Sequence, residues 1–230
     1  MSHRCADCPV RERAACSVLS EEERNTLGDI GRMRTLAPGQ TLFAAGDEAP
    51  ACATLVDGAL KIVDRTVGGD EHIVGLIHPA GFVGEFFQPY ARHDVVALTV
   101  SQLCVFGGAD MERAIERFPA LARALLRRAQ ADVLASRDLL SLTGGHTAQR
   151  KIAGLMLAFA DSASHSPCEP AFRFDLPLSR GEIGDLLGLT IETVSRQIGA
   201  LEKVGILTRT GKRGIAIDDP ARLTLLAHTG

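Results

Sequence analysis

Three cysteines stand close together near the start of the chain, in the stretch HRCADCPVRERAACSVL. Cys5, Cys8 and Cys16 follow a Cys-x2-Cys-x7-Cys spacing, and the whole chain contains 6 cysteines. Two thiolates separated by two residues can share one metal ion or one edge of a cluster, and a third can close around the next position. Three interpretations of this group therefore compete: a disulfide, a structural zinc site and an iron–sulfur cluster.

Either metal site needs a fourth ligand, because zinc and cubane clusters are both usually held by four donors. The remaining cysteines are Cys52, Cys104 and Cys168, and His3 is a weaker rival. Cys52 and Cys104 lie in strand-like sequence, where a lone cysteine is most often a small buried hydrophobe. Spacing alone leaves both the metal and the fourth ligand open.

Composition places these cysteines in an ordinary soluble protein. The chain has 230 residues, of which 46% are hydrophobic and 23% charged, and its formal net charge is −3. Its apolar runs are too short to span a membrane, and its charged start is unlike a signal peptide. We therefore expect a cytoplasmic protein without membrane contact, where thiols stay reduced, which disfavours the disulfide. Any contact with nucleic acid must come from a local basic surface.

Short apolar runs separated by glycine turns follow the cysteines, a pattern typical of an antiparallel roll or barrel. The runs cover residues 41–43, 53–56, 60–63, 72–77, 95–99 and 103–106. They alternate with glycine-containing turns, which are the usual breaks between short strands. The sequence therefore predicts an all-β region before the helices.

A long helical stretch, residues 111–142, comes next and is interrupted near residues 118–119. A seam of side chains at three- and four-residue spacing runs along it and is predicted to form a dimer interface: Leu121, Leu125, Ala129, Asp132, Val133, Ser136 and Leu140. The same seam could instead pack inside its own chain. Because Asp132 and Ser136 make it polar, the predicted dimer is weak. A second helix is predicted over residues 148–160.

The segment LSRGEIGDLLGLTIETVSRQIGALEKVGIL, residues 178–207, predicts two short helices joined by a tight turn. Ser179 and Glu182 form a capping box for the first helix, Gly188 can end it, and Thr190 caps the second. Apolar residues recur at helical spacing along both: Ile183, Leu186, Leu187, then Ile191, Val194, Ile198 and Leu201. This is the pattern of a helix-turn-helix motif, whose second helix enters the DNA major groove.

The polar face of that second helix carries side chains that can read bases. Arg196 suits guanine, Glu192 can accept from cytosine, and Ser195 can contact a base or a phosphate. The following stretch GILTRTGKRGIAID predicts two strands around a basic turn, a wing expected to meet phosphates. The predicted DNA contacts are Thr190, Glu192, Thr193, Ser195, Arg196, Lys212 and Arg213.

The order of these parts resembles the Crp/Fnr family of transcription regulators, through the motifs LAPGQTLFAAGDEAP, LVDGALKIV, GGDEHIVGLI, GFVGEFF and ETVSRQIGALEKVGIL. The Glu-x-x-Ser-Arg helix and the cysteines resemble its Fnr branch. The resemblance implies an α+β fold with a cyclic-nucleotide-binding-like β-roll (a jelly roll), a long dimerisation helix and a carboxy-terminal winged helix-turn-helix. We expect a cysteine-rich cluster-binding segment at 1–22, the β-roll sensor at 23–110, the dimerisation helix at 111–145 and the DNA-binding domain at 146–230.

The resemblance also favours iron–sulfur over zinc. Fnr-type proteins take their fourth ligand from the strand before the long helix, in a context like SQLCVF, which implies a [4Fe-4S] cluster on Cys5, Cys8, Cys16 and Cys104. It further implies a homodimer that binds a palindromic TTGAT-type site in double-stranded DNA and is released when oxygen degrades the cluster. A contact with RNA polymerase is implied near Gly69 and Asp70.

Other ligands and functions are weighed against this interpretation. A cyclic nucleotide is not expected, because Asp94-Val95 stands where relatives carry a phosphate-gripping Arg-Ser pair, and Ala80 replaces the usual first glycine of that loop. Two alternatives to an oxygen-responsive regulator remain. One is a family member that senses nitric oxide or haem ligands, and the other is a DNA-binding module stapled by zinc. A redox enzyme is not expected, since the chain has no flavin, nicotinamide or nucleotide loop and that class would leave Glu192 and Arg196 unexplained.

Overall fold

The computed structural model describes residues 5–48, 51–66, 68, 71–85, 87–164 and 171–228. Contacts divide the chain into two compact units, Met1–Leu134 and Ala135–Gly230. The boundary falls within the long helix, so the predicted dimerisation helix is shared between the units. Among the residues described, no helix is both long enough and apolar enough to cross a membrane.

Two antiparallel four-stranded sheets form the roll of the first unit. Its strands are β1 (Arg32–Leu36), β2 (Thr41–Phe43), β3 (Cys52–Asp57), β4 (Leu60–Arg65), β5 (Glu71–Ile77), β6 (Phe82–Val83), β7 (Asp94–Ala97) and β8 (Ser101–Phe106). One sheet has the order β1-β8-β3-β6 and the other β2-β7-β4-β5. Each predicted apolar run overlaps one of these strands, which confirms the roll. β1 and β6 were not predicted, because β1 has no apolar alternation and β6 is very short.

The first sheet separates the core of the roll from the amino-terminal segment. Leu55 on β3 pairs with Leu103 on β8, and the neighbouring Thr54 pairs with Cys104. Successive side chains of a strand point to opposite faces. Leu55 and Leu103 accordingly lie fully buried in the core cluster between the sheets. Cys104 faces the other way, toward residues of the amino-terminal segment such as Val10.

Helices flank the roll on both sides in the sequence. α1 (Glu21–Ile30) begins with a capping box between Ser20 and Glu23, a local signal that could have predicted it. After the roll come α2 (Gly108–Arg117) and α3 (Pro119–Thr143). The predicted interruption of the helical stretch is confirmed. Pro119 opens α3, since a helix interior does not tolerate the missing N–H of proline but a first turn does.

The second unit joins three further helices to a three-stranded sheet. Its elements are α4 (Ala148–Ala163), β9 (Arg173–Asp175), α5 (Arg180–Leu187), α6 (Ile191–Lys203), β10 (Leu207–Thr210), β11 (Gly214–Ile217) and α7 (Pro220–His228). The sheet order is β10-β11-β9. Gly184 allows the turn between α5 and α6 to close, because a Cβ at that position would lie 2.6 Å from the carbonyl oxygen of Leu189. Ile152, Ile183 and Ile198 lie in the buried core.

Candidate functional site

Four cysteines line one cavity on the outer face of the first sheet: Cys5, Cys8, Cys16 and Cys104. We call this space the cysteine cavity. Cys104 lies on β8, whereas the others lie in or between two short 3₁₀ turns, Cys5–Asp7 and Ala15–Val18. All four are free and half-buried. The fold therefore brings the four predicted ligands to one place.

The four thiols line the same space but do not converge on a point. In the described part of the chain, no three His, Cys, Asp or Glu side chains are gathered closely enough to hold a metal ion. Burial and the neighbouring thiols of Cys5, Cys16 and Cys8 raise the pKa of Cys104 to about 12. Burial and nearby thiols also raise the pKa values of Cys5 and Cys16. The metal-free thiols of Cys5, Cys16 and Cys104 are therefore protonated at neutral pH, and metal binding there would release protons.

Cys52, the competing candidate for the fourth ligand, lies elsewhere. It is fully buried on β3 in a hydrophobic cluster with Leu27 and Met111. Burial raises its pKa to about 12. The β3 side chains that line the cysteine cavity are Thr54 and Val56 instead. The remaining named positions lie outside the described residues: His3, Gly69, Asp70 and Cys168.

Two glycines that the sequence did not single out leave space for the sulfur atoms. A Cβ on Gly28, within α1, would lie 2.7 Å from the Sγ of Cys5. A Cβ on Gly31 would lie 3.0 Å from the Sγ of Cys104 and 2.8 Å from the ring of Phe106. Both positions therefore require glycine if the thiols are to stay in place. No local sequence signal marks them, because the clash involves side chains distant in the sequence.

A buried arginine also lines the cysteine cavity. Arg24 on α1 is 9% exposed, and its Nη2 donates to the carbonyl oxygen of Leu19 at 2.8 Å. Its Nε and Nη1 are buried and have no hydrogen-bond partner among the described residues. The charge of Arg24 opposes the upward pKa shifts that burial causes at Cys5 and Cys16. A guanidinium with two unused donors thus lies beside the thiols.

Asp94, which the sequence analysis placed at the position of the phosphate-gripping pair of relatives, is a buried carboxylate in the roll. The Asp94 carboxylate accepts from the amide of Ala45 at 2.8 Å and pairs with Arg65. Burial works against ionisation, but these two partners lower the pKa of Asp94 overall. Ala80 has a φ of 74°, the left-handed conformation that favours glycine.

The predicted local signals of the helix-turn-helix are confirmed in the second unit. Ser179 and Glu182 form the capping box of α5, and Gly188 ends that helix with a φ of 63°. The Oγ1 of Thr190 accepts from the amide of Thr193 at 3.3 Å at the start of α6. These bonds satisfy helix-terminal amides that would otherwise lack partners. The two helices are therefore fixed by their own side chains.

The exposed face of α6 presents the predicted base-reading residues. Glu192, Ser195 and Arg196 are all exposed. Arg196 makes no hydrogen bond or ion pair with any residue that the structure describes. The backbone amide of Glu192 and the hydroxyl of Thr190 lower the pKa of the Glu192 carboxyl group, which is therefore ionised at neutral pH. The prediction that Ile191 lies on the buried face of this helix is wrong. Ile191 is 54% exposed, because the buried stripe of α6 begins one turn later.

The predicted wing is confirmed as a hairpin of β10 and β11, paired from Leu207 with Ile217 to Thr210 with Gly214. Lys212 and Arg213 lie in its exposed turn. The Nη1 of Arg213 donates to the carbonyl oxygen of Pro177 at 3.1 Å, so this side chain also anchors the wing. Lys212 therefore has the freer charge of the two.

The predicted seam on α3 divides into a buried and an exposed part. Leu121 is 1% exposed and packs in its own chain, so its assignment to a dimer interface is wrong. Leu125 is partly buried in the same cluster, and Asp132 lies half-buried 3.7 Å from Arg128. Leu126, which the sequence analysis did not name, is 72% exposed. The exposed members of the seam are Ala129, Val133, Ser136 and Leu140.

The chain matches two family models, the cyclic nucleotide-binding domain over residues 33–118 and the Crp-like helix-turn-helix domain over residues 150–226. The transcriptional activator protein FnrL of Cereibacter sphaeroides is 37% identical, over 96% of this chain and 90% of that protein. The nitrogen fixation regulation protein FixK of Bradyrhizobium diazoefficiens is 31% identical, over 98% and 94%. The fumarate and nitrate reduction regulatory protein of Escherichia coli is 29% identical, over 98% and 91%.

The fold agrees with these relatives. The structure of FixK2 from Bradyrhizobium japonicum matches with a TM-score of 0.77 and 25% identity, and the match covers 87% of this chain and 99% of that one. The curated relatives are regulators of transcription rather than enzymes, and the matched helix-turn-helix model indicates DNA binding. The chain therefore belongs to the Crp/Fnr family of transcription regulators.

Proposed function

We propose that this regulator responds to oxygen through a [4Fe-4S] cluster bound in the cysteine cavity. The observation that carries the proposal is the meeting of four cysteines from separate elements around one space. Four cysteine thiolates are the usual ligands of a cubane cluster. The match to FnrL and to the fumarate and nitrate reduction regulator over nearly the whole chain supports the regulatory role.

The size of the cavity favours a cluster over a zinc ion. Its volume of about 50 Å³ is several times the ~10–15 Å³ that one water-sized group needs. A single zinc ion would leave most of this space empty, whereas a cluster would fill more of it. The four sulfur donors suit either group, so the difference rests on volume and is open to direct analysis.

When bound, the cluster supplies an iron–sulfur group whose stability depends on its exposure and hydrogen bonds. The chain's own residues connect the cavity to the helices. Leu121 and Leu125 of α3 line the same cavity as the thiols, as does Met111 of α2. Movement of the cysteines therefore bears directly on the packing of α3 in this unit. The part of the seam that is buried is thus the part that can transmit a change.

We propose that the exposed seam of α3 then pairs with a second copy of this chain. Leu126, Val133 and Leu140 recur at the seven-residue spacing of a coiled coil. Ser136 and the half-buried Asp132 make the interface weak, and a change of a few kcal/mol is enough to shift a marginal two-state equilibrium. We expect dimers without oxygen, monomers in air, and a stable dimer in air for Asp132→Leu. Sedimentation in both conditions tests this, and an equally stable wild-type dimer in both would exclude dimerisation as the switch.

In the dimer, each α6 is proposed to read one half of a palindromic TTGAT-type site. Arg196 and Glu192 would meet base edges, and Lys212 would meet phosphates. A contact with RNA polymerase near Gly69 and Asp70 remains a proposal from the family resemblance. Asp94, ionised and paired in the roll, supports the view that no cyclic nucleotide takes part.

The experiment is a DNA titration of the reconstituted protein before and after exposure to air. Cys104→Ser and Cys52→Ser form a matched pair, because only the first removes a thiol from the cysteine cavity. Wild type and Cys52→Ser should bind the site without oxygen and lose it in air. Cys104→Ser should fail to bind in either condition. Wild-type protein that binds equally well before and after air would refute the proposal.

A further inference from the structure

We infer that Arg24 is the positive partner of the anionic metal group in the cysteine cavity, with its Nε and Nη1 as donors to sulfur. The inference rests on the proposed function and deepens it. Arg24 is not a ligand in this account but a positioning residue, which holds the group by charge and hydrogen bonds. It would govern how firmly the thiols retain what they bind.

The geometry of Arg24 is unusual for a structural arginine. The residue is 9% exposed and uses one of its nitrogen atoms, Nη2, to bond the carbonyl oxygen of Leu19. Its Nε and Nη1 are buried without a partner among the described residues. Buried donors are almost always satisfied in native proteins, so an unsatisfied pair requires an explanation. An acceptor that enters the cavity would provide one.

The charge of Arg24 is also uncompensated. In the described part of the chain, no carboxylate lies within ion-pair distance of this buried guanidinium. A buried charge without a partner is strongly unfavourable. Four thiolates around a cubane core form a group of net negative charge. Filling the cavity with that group would supply both the missing acceptors and the missing counter-charge.

Arg11 provides the matched control, because it lines the same cavity with a guanidinium that is already engaged. Its Nη1 donates to the carbonyl oxygen of Ala6 at 3.0 Å. Its Nε makes no hydrogen bond among the described residues but lies 3.0 Å from the carboxylate of Glu12, as an ion pair. Among the residues that the structure describes, Arg11 therefore has a counter-charge, whereas Arg24 has none. Loss of Arg11 should matter much less to the bound group.

The test compares Arg24→Met with Arg11→Met, each metal-free and after anaerobic reconstitution with ferrous iron and sulfide. The first readout is the rate at which an iron chelator strips the loaded protein without oxygen. Groups that support metal ligands from outside typically contribute 10–100-fold, so Arg24→Met should lose iron about 10-fold faster than wild type, and Arg11→Met at nearly the wild-type rate. Arg24→Lys keeps the charge but loses the planar fork, and should fall between them.

The second readout is the melting temperature of the metal-free protein. Arg24→Met removes a buried charge and two unsatisfied donors, so the metal-free variant should melt no lower than wild type. A purely structural role through Leu19 would instead lower the melting temperature of both forms equally, and that result would overturn the inference. Stripping of Arg24→Met at the rate of Arg11→Met would overturn it too, while leaving the cluster proposal intact. A wild-type chain that takes up no iron and sulfide would overturn both.

Discussion

The helix-turn-helix and the cysteine cavity satisfy their polar groups in opposite ways. The helix starts of α5 and α6 are capped by side chains of the same unit, and the outward-facing Arg196 makes no bond to the described chain. In the cysteine cavity, burial and mutual proximity raise the pKa values of Cys5, Cys16 and Cys104, and two buried donors of Arg24 have no partner among the described residues. The first region therefore satisfies its helix-terminal groups without a ligand, whereas under the proposed function a bound cluster would satisfy the second.

This difference is the one expected between a DNA-binding motif and the proposed cluster-binding cavity. The helix α6 is formed and capped in the absence of DNA, so we expect regulation to act on the position or number of DNA-binding units. In the proposed function, metal binding would change the charge, protonation and hydrogen bonding of the cavity. Residues of α2 and α3 also line the cavity, so these helices would meet that change directly. The predictions below ask whether perturbations stay confined to the region they touch.

The largest effect is expected from removal of a ligand thiol. Single serine substitutions at the four cysteines that line the cavity should each abolish cluster binding in anaerobic reconstitution. Cys52→Ser should retain it, because Cys52 packs in the hydrophobic cluster and does not line the cavity. Iron analysis of each variant is the measurement. If Cys104→Ser kept a full cluster and Cys52→Ser did not, the fourth ligand would be misassigned.

A steric change at Gly28 should disturb the cavity without replacing any of the four cysteines. The added methyl of Gly28→Ala would lie 2.7 Å from the Sγ of Cys5 and force it to move. Alanine in place of a helical glycine normally stabilises a helix by about 0.5–1 kcal/mol, so the metal-free fold should tolerate the change. We expect iron retention to fall by about 10-fold, as for other supporting positions.

Gly181→Ala is the control for Gly28→Ala, since a Cβ there would meet no atom closer than 3.9 Å. It should leave iron retention unchanged. Melting curves and chelator competition on both variants distinguish the two outcomes. Equal iron retention in Gly28→Ala and wild type would show that the position of Cys5 in the structure is not the one used to bind metal.

The pH dependence of folding should carry the signature of a histidine in the first unit. Burial, helped by the charge of Arg128, lowers the pKa of His78 to about 4. The unfolded chain binds a proton at His78 near pH 6.5, whereas the folded chain does not until about pH 4. Between these values the unfolded state binds more protons, so stability falls as the pH falls, by about 3 kcal/mol in total.

Denaturant unfolding between pH 7 and pH 4, on His78→Gln and wild type, measures this effect. His78→Gln should lose most of the decline that His78 causes. His72→Gln, at an exposed position on β5, is the control and should decline like wild type. An identical pH profile in His78→Gln and wild type would mean that His78 takes up its proton in the folded state.

The smallest effects are expected from substitutions in the helix-turn-helix and its wing, and they should not depend on the state of the cysteine cavity. Arg196→Ala should cost about 1–3 kcal/mol per half-site and relax the preference at one G·C pair, because the arginine fork matches guanine. Lys212→Ala should weaken all sequences alike and flatten the salt dependence, as expected for a phosphate contact. Titrations against a TTGAT-type palindrome and its single-base variants at several salt concentrations measure both. If Arg196→Ala weakened every variant equally, Arg196 would be a phosphate contact.

The two regions also differ in how far the sequence predicted them. The helix-turn-helix was predictable nearly residue by residue, because caps and helical periodicity are local signals: Ser179, Gly188 and Thr190 act as expected. Periodicity identifies a face but not what covers it. For that reason Ile191 was placed inside although it is exposed, and Leu121 outside although it is buried.

The cavity was predictable only in its thiols. The cysteine spacing indicated a metal site, and family resemblance singled out Cys104 among the remaining cysteines. Gly28, Gly31 and Arg24 carried no signal, because their roles arise from contacts between α1, the amino-terminal turns and β8. Contacts between distant segments depend on the tertiary packing, which local patterns do not encode.

The measurement that tests the central claim most directly is the iron, acid-labile sulfide and zinc content of wild-type protein prepared without oxygen. We expect a brown protein with about four iron and four sulfide per chain, as a cubane on four cysteines requires. A colourless protein with about one zinc per chain, as in a closed structural site, would contradict the account.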